Sequence, residues 1–278
     1  MPTIAITTDF GIKDGNVGVM KGVIWGICPA ARIADISHVI GPQNIFEAGL
    51  ILARSAPFFP PGTIQLVVVD PGVGTARYPM AARIGSWYFV GPDNGLITMW
   101  RDQAMENGLP LDFVVLDQDE YWLPSVSHVF HGRDIFAPVA AHLANGVPLK
   151  DLGSPLADPV TLPLPKPRRT NDGWAGEIIH VDHFGNVASN IREEHLADAL
   201  QDMGRIIVRL GELKIDGVVR TFGERKSGEA VALIGSTGNL IVSIVNGSAE
   251  TTLGSQVGDP IWVVCDQSSR DSMARAAA

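Results

Sequence analysis

Four acidic positions stand where apolar runs of the chain end. Asp9 follows Thr3–Thr8, Asp35 sits with His38 at the close of Arg32–Ile36, Asp70 follows Ile64–Val69, and Asp93 follows Trp87–Val90. Carboxylates on a shared edge can accept bonds from hydroxyls, hold a cation or take a proton. Each one alone is ordinary turn chemistry, as in Asp-Pro or Pro-Asp-Asn-Gly. Three segments are denser than turns require. They are Thr7–Gly11 with Asp14 and Met20-Lys21-Gly22, then Val69–Arg77, then Phe130–Pro138. The Gly-rich part of the second has neither the GxxxxGK[ST] nor the GxGxxG spacing, which argues against nucleoside triphosphates and dinucleotides. In the third, Gly132 lets a backbone or ligand approach closely, and Asp134 reads as a cap for the helix that follows. His38 reads as a hydrogen-bonding group that fixes its loop, and His128 and His142 as structural or surface residues. His180, His183 and His195 lack metal-ligand spacing.

The elements that must position these residues alternate between strand and helix over the first half. Strands are expected at Thr3–Thr8, Arg32–Ile36, Ile64–Val69, Trp87–Val90 and Phe113–Leu116. Helices are expected at Val17–Ile27, Asn44–Ser55 and Ile135–Ala144. IQLVVV is a nearly continuous apolar run, as in a parallel strand covered on both faces. Ligands of such open sheets lie outside the carboxyl ends of the strands, where the four acids fall. Pro159–Pro167 holds four prolines in an extended stretch that cannot enter a sheet interior. Beyond it the pattern becomes short strands between Gly-rich turns: Trp174–Val181, Arg205–Leu210, Val218–Phe222, Ala230–Ile234, Leu240–Val245 and Ile261–Cys265. Only Arg192–Met203 reads as helical. The expected fold is an α/β N-terminal domain (1–158) with a mainly parallel sheet covered by helices. A Pro-rich linker (159–171), a smaller all-β, barrel-like C-terminal domain (172–266) and a frayed tail (267–278) complete it.

Six ordered motifs over roughly residues 3–265 carry a family resemblance. They are DFG…D…MKG at the start, DISH, VVDPGVGTAR (Val68–Arg77), VGPDNG (Val90–Gly95), FHGRDIFAP (Phe130–Pro138) and DHFGNVASNI (Asp182–Ile191). Together they resemble the S-adenosylmethionine (SAM) hydroxide adenosyltransferase family, whose relatives fluorinate or chlorinate the same substrate. The resemblance implies hydrolysis of SAM to adenosine and methionine, with no metal and no cofactor. It also implies a homotrimer, with each site between the N-domain of one subunit and the C-domain of the next. Its water-activating set falls on Asp70, Arg77 and His131. The halide-using relatives lack this Asp and His, so their presence points to hydroxide as nucleophile. The ribose-binding acid falls on Asp9. C-domain contacts fall on Asp182, Phe184, Asn186 and Ser236, and residues near Val245 and Asn246 close the adenine side. Phe130 and Phe184 would supply apolar walls. Two positions depart from the family pattern: Val129 stands where Thr is usual, and Gly235-Ser236 where Asn-Ser is usual.

The implied reaction is an in-line displacement at the ribose C5′. The sulfonium is already activated and leaves as a neutral thioether, so no general acid is needed. Water is the weak partner and must be oriented and deprotonated. Either Asp70 or His131 can take that proton. Two alternatives use the same residues: a metal-dependent nucleoside hydrolase, and a sensor that binds adenosine or SAM without turnover. The first expects an acid-x-acid pair at the first strand, where position 7 is Thr. The second does not need the Asp70, Arg77 and His131 set.

The whole chain agrees with a small-molecule site. It has 278 residues and a formal charge of −9, which disfavours nucleic acid and anionic membranes as partners. No run of 18 apolar residues and no signal-like start is present, so a cytoplasmic location is expected. Cys28 and Cys265 read as two buried thiols. The tryptophans at 25, 87, 122 and 262 read as core or subunit contacts.

Overall fold

A computed structural model describes residues 1–200 and 206–265, the side chain of Cys265 excepted. The chain divides into two compact units, Met1–Pro163 and a second that begins at Leu164.

The first unit is built on six strands: β1 (Thr3–Thr8), β2 (Arg32–Ser37), β3 (Ile64–Val68), β4 (Pro79–Ile84), β5 (Trp87–Pro92) and β6 (Leu111–Val115). Their order is β2-β1-β3-β5-β4-β6. The pairs β1–β2, β1–β3 and β3–β5 are parallel, while β4 runs antiparallel to both β5 and β6. Side chains alternate across the sheet with the two-residue period of a strand. Ile64, Leu66 and Val68 join α1 (Asn16–Ile27) and α4 (Ala137–Ala144) on one face. Val67 and Val69 join α2 (Ile45–Ser55) and α3 (Thr98–Glu106) on the other. Burial on both faces is why β3 is apolar but for Gln65, at about 1.5–3 kcal/mol for each large aliphatic side chain. Asn44 caps α2 by accepting from the Glu47 amide at 3.0 Å.

This topology selects the location of a site. From β1 the chain passes through α1 to β2 on one side, then through α2 to β3 on the other. The two helices cover opposite faces, so a crevice opens at the carboxyl ends of β1 and β3. Asp9 follows β1 and Asp70 lies just beyond β3.

Two elements of this unit are absent from the sequence expectation. β4 opens on Pro and contains Ala, Ala and Arg, all weak strand formers. Its neighbours β5 and β6 determine its conformation. α3 carries only Thr98, Trp100 and Ala104 inward, too few for a clear helical stripe.

The second unit is antiparallel: β7 (Arg168–Arg169), β8 (Gly173–Val181), β9 (Val187–Arg192), β10 (Ile206–Leu210), β11 (Leu213–Asp216), β12 (Ala230–Ile234), β13 (Asn239–Ile244) and β14 (Pro260–Cys265). The order is β11-β10-β14-β8-β9-β13-β12, with β7 on the edge of β8. β8 pairs with β14 over its first half and with β9 over its second. The sheet curls until Val219, beyond β11, bridges Leu233 of β12. The result is a nearly closed, barrel-like sheet around Ile178, Val187, Ile191, Val208, Val242 and Val263. The expected strand Val218–Phe222 reduces to that single bridge, followed by a short 3-10 turn at Phe222–Glu224. Of the expected helix Arg192–Met203, the described part is helical only over α5 (Glu193–Leu196) and passes into turns at 197–200; residues 201–205 lie outside the described residues. A further short helix, α6, spans Ala249–Leu253.

The Pro-rich stretch is fastened at several points. The Val160 amide donates to Asp93 Oδ1 at 2.8 Å, and the Leu162 amide to Thr98 Oγ1 at 2.9 Å. Pro165 O accepts from Asn190 at 3.2 Å, and Arg168–Arg169 pair with β8. The expected tail 267–278 lies outside the described residues. Cys28 is a buried free thiol. Trp25 and Trp262 are exposed in the single chain, which leaves the subunit-contact alternative for both. Among the described residues no helix is long and apolar enough to cross a membrane.

Candidate active site

Two successive turns carry the chain from Asp70 to Arg77. The Val73 amide donates to Asp70 O, and the Thr75 amide and hydroxyl both donate to Gly72 O. Gly74 sits at φ +75°, and a Cβ there would meet His128 O at 2.3 Å. Glycine is required both by that backbone conformation and by that contact. The loop is thereby pressed against the segment that leads to His131. Beneath it, Asn94 Nδ2 donates to Val69 O at 2.9 Å and braces the end of β3.

These constraints bring Asp70, Arg77 and His131 together. Arg77 Nε donates to Asp70 Oδ1 at 3.0 Å, and its Nη2 donates to Asp70 Oδ2. The same Nη2 reaches His131 Nδ1 at 2.8 Å. The guanidinium also lies over the ring of buried Phe136, 5.3 Å from its centroid. Both Asp70 and Arg77 are less than 10% exposed, so their pairing matters more than a surface salt bridge. A guanidinium only donates, so Nδ1 of His131 must accept and the proton of the neutral ring resides on Nε2. Burial, and then the Arg77 charge, hold His131 below its usual 6.5.

His131 enters a π-helical turn, Gly132–Phe136, that runs into α4. Such turns widen a helix by one residue and recur at functional sites. A Cβ on Gly132 would lie 3.3 Å from both Met20 Sδ and Phe130 Cε2, and 3.4 Å from Phe10 Cζ. Phe10 and Phe130 meet edge to face at 5.7 Å. The DFG and FHGRD segments are therefore packed against each other. Asp9 is half-buried, and its Oδ2 accepts the Gln43 amide at 2.8 Å. Beside it, Thr8 Oγ1 bonds His38 Nδ1 at 2.9 Å, and Asp35 holds His38 Nε2 and Lys21 Nζ at 3.0 and 2.7 Å. Burial would raise Asp35, but Lys21 and His38 outweigh it and hold the acid low. His38 thus fixes its loop.

In the second unit, Asp182 organises the β8–β9 turn. Its Oδ1 accepts the amides of Phe184 and Asn186, each at 2.9 Å, and its Oδ2 accepts Asn186 Nδ2 at 2.8 Å. Ser243 Oγ donates in turn to Asn186 Oδ1. Gly185 sits at φ +76°, and a Cβ there would strike Ser248 Oγ at 2.0 Å. This rigid turn presents Phe184, which is 73% exposed.

The model of the SAM hydroxide adenosyltransferase N-terminal domain matches residues 4–153, and that of the C-terminal domain matches residues 176–262. The chain belongs to the SAM hydroxide adenosyltransferase family. It is 40% identical over 268 residues to an (R)-S-adenosyl-L-methionine hydrolase of Salinispora tropica, covering 94% of this chain and 97% of that one. It is 37% identical to an (R)-S-adenosyl-L-methionine hydrolase of Thermus thermophilus, covering 94% and 99%. A crystal structure of an uncharacterized conserved protein from Thermotoga maritima superposes with a TM-score of 0.85 at 37% identity, covering 95% of this chain and all of that one.

Within this member of the SAM hydroxide adenosyltransferase family, two expected contacts stand apart from the rest. Ser236 lies in the β12–β13 turn, whereas Asn186 meets Ser243 at the far end of β13. Six strand residues separate these ends by roughly 20 Å, so Ser236 does not join the Asp182–Asn186 turn. Val245 is 8% exposed and packs with Val219, Val231 and Leu233. Its amide donates to Glu229 O, and its carbonyl accepts from Gly228. It is a packing residue, and the exposed group at this position is Asn246, at φ +54°. The residues missed by sequence reasoning are Ser243 and Ser248, which support the Asp182 turn. Their signal was only their place beside Val245 and Asn246. Asp93 is buried, which raises its pKa, and it serves the Pro-rich segment through Val160. Phe130 is half-buried, between Phe10 and the guanidinium of Arg133. Among the described residues no three His, Cys, Asp or Glu side chains gather as a metal site.

Proposed function

We propose that this protein is an enzyme that hydrolyses SAM to adenosine and L-methionine by displacement at the ribose C5′. The observation that carries this reading is the buried Asp70–Arg77–His131 cluster beside Asp9, at the carboxyl-end crevice of β1 and β3. Binding alone would not call for a cluster that orients and deprotonates water. Names shared by relatives at 37–40% identity over nearly the whole chain support the same substrate.

In the proposed step, the water oxygen bonds to C5′ as the C5′–S bond breaks and its electron pair goes to sulfur. Methionine leaves as a neutral thioether. His131 is neutral, with Nδ1 engaged by Arg77, so it donates from Nε2–H to the nucleophile and orients it. Asp70 accepts the water proton, using a lone pair outside the Arg77 fork. The attacking water becomes strongly acidic as the C–O bond forms, so a carboxylate is base enough. Asp9 keeps Oδ1 outside its bond to Gln43 and would accept from ribose hydroxyls. Phe130 forms part of the apolar wall. We assign no metal and no cofactor, since Asp70 is neutralised by a guanidinium where a metalloenzyme would use a cation.

We extend the proposal to a cytoplasmic homotrimer in which the Asp182–Asn186 turn of one copy covers the crevice of the next. Exposed Ile12, Val39, Tyr78 and Val129 support this, because they flank Asp9, His38, Arg77 and His131 in the chain. Exposed Phe184 would be their counterpart. The free thiol of Cys28 fits a reducing compartment. Incubation of the protein with SAM and excess chelator, followed by chromatography, tests the reaction. Adenosine and methionine are expected in equal amounts. No product, or product only after metal is added, overturns the reading. Sedimentation analysis is expected to show a particle of three chains.

A further inference from the structure

Asp134 is fully buried, three residues beyond His131, and caps nothing. Its Oδ1 accepts from Arg133 Nε at 2.6 Å. Its Oδ2 accepts from Arg133 Nη2 at 3.0 Å and from the Ser127 amide at 2.8 Å. Its carbonyl accepts the Leu123 amide at 2.9 Å. Ser127 Oγ accepts the Phe130 amide at 3.1 Å, closing a turn immediately ahead of His131. The guanidinium held by Asp134 lies over the Phe130 ring at 5.2 Å. The turn ahead of His131 and the cation over Phe130 are thus both tied to Asp134.

We propose that Asp134 is a positioning residue. By fastening the Ser127–Phe130 turn and clamping Arg133 onto Phe130, it fixes where His131 stands relative to Arg77. A buried carboxylate is an expensive way to hold a loop. The expense is rational where a displacement of about 1 Å in a reacting group costs about 100-fold in rate. Burial would raise the Asp134 pKa, but Arg133 and Ser127 outweigh it and hold the acid low. The charged or titratable groups that reach His131 are Arg77, Asp70, Asp134 and His128. Asp134 is one of two there that favour the protonated ring, so its charge and its bonds act on the same imidazole.

The role rests on the hydrolase reading for its kinetic consequence, though not for its structural one. Asp134→Asn keeps an acceptor for Ser127 but loses the charge and the fork to Arg133. The folded variant is expected to lose about 100-fold in kcat with KM unchanged. Its His131 titration, followed by NMR at the Cε1 proton without substrate, is expected to move to lower pH. Arg133→Met, at a partly exposed position, folds more safely. It is expected to lower kcat in the same direction by a smaller factor. Wild-type kcat in both folded variants overturns the proposal, and so does an unmoved His131 titration in Asp134→Asn. If Asp134→Asn does not fold, Arg133→Met decides alone. If the parent protein makes no adenosine, the hydrolase reading fails, and the His131 titration still decides the positioning role.

Discussion

Aspartate is put to opposite uses in the two units. In the α/β unit, Asp70 faces side chains: both its oxygens meet Arg77, and Arg77 meets His131. In the β unit, Asp182 faces backbone: two amides and one side-chain amide hold it inside its own turn. The first arrangement buries charge beside a titratable ring. The second spends charge on shape and exposes an aromatic residue. If the proposed reaction is right, its chemistry and this surface presentation are separated between the units, and substitutions in each should fail in different ways.

The largest effect is expected from Asp70→Asn and His131→Ala, each lowering kcat by about 100-fold or more. Calorimetry should still detect adenosine binding to both. Asp70→Asn also leaves Arg77 buried without its counter-charge, at a cost of about 3 kcal/mol in stability. Full activity in both variants would end the division of labour. Asp182→Ala should instead cost about 2 kcal/mol in urea unfolding while kcat persists in the folded fraction. Loss of kcat with undiminished stability would place Asp182 with the reacting groups. Phe184→Ala should raise KM about tenfold, the equivalent of burying half or more of that ring against substrate or partner, with no change in melting temperature. An unchanged KM would make the exposed ring a surface residue only.

The smallest effect concerns pH. Burial and the Arg77 charge hold His131 low, and burial holds His142 low. Above the usual 6.5 both rings are neutral, whether the chain is folded or unfolded. As pH falls below 6.5 the unfolded chain takes up protons first, so stability declines toward the folded-state values. kcat/KM should be level above 6.5 and fall on the acid side with a midpoint below it. Such a limb should vanish in His131→Ala and persist in Asp182→Ala. An acid limb centred above 6.5 would mean that His131 is protonated more easily than its surroundings allow.

Much of the α/β site was legible because its residues are tied to strand ends. DFG, DPGVG and FHGRD each follow a recognisable element or precede one, and the parallel topology brings such points to one edge. Asp134 was misread as a cap, since its burial depends on a loop that returns from β6. β4 was invisible because Pro, Ala and Arg become a strand only between two neighbours. In the β unit, the DHFGN motif located its turn correctly. Ser236 lies apart from that turn because the two sit at opposite ends of β13. Val245 packs into the wall while Asn246 is exposed, since one residue of register decides which way a side chain after a strand points.

The π turn beneath His131 sets a limit on how this protein can vary in length. A regular helix turns about 100° per residue, and Gly132–Phe136 holds one residue more than a regular turn would. That turn already absorbs one extra residue, so adding another ahead of a regularly wound α4 would swing everything ahead of it by about that angle. His131 would then leave Arg77, although every residue of the cluster was still present. Along this stretch, residue count is as much a part of the site as residue identity, and loops elsewhere in the unit can lengthen or shorten more freely.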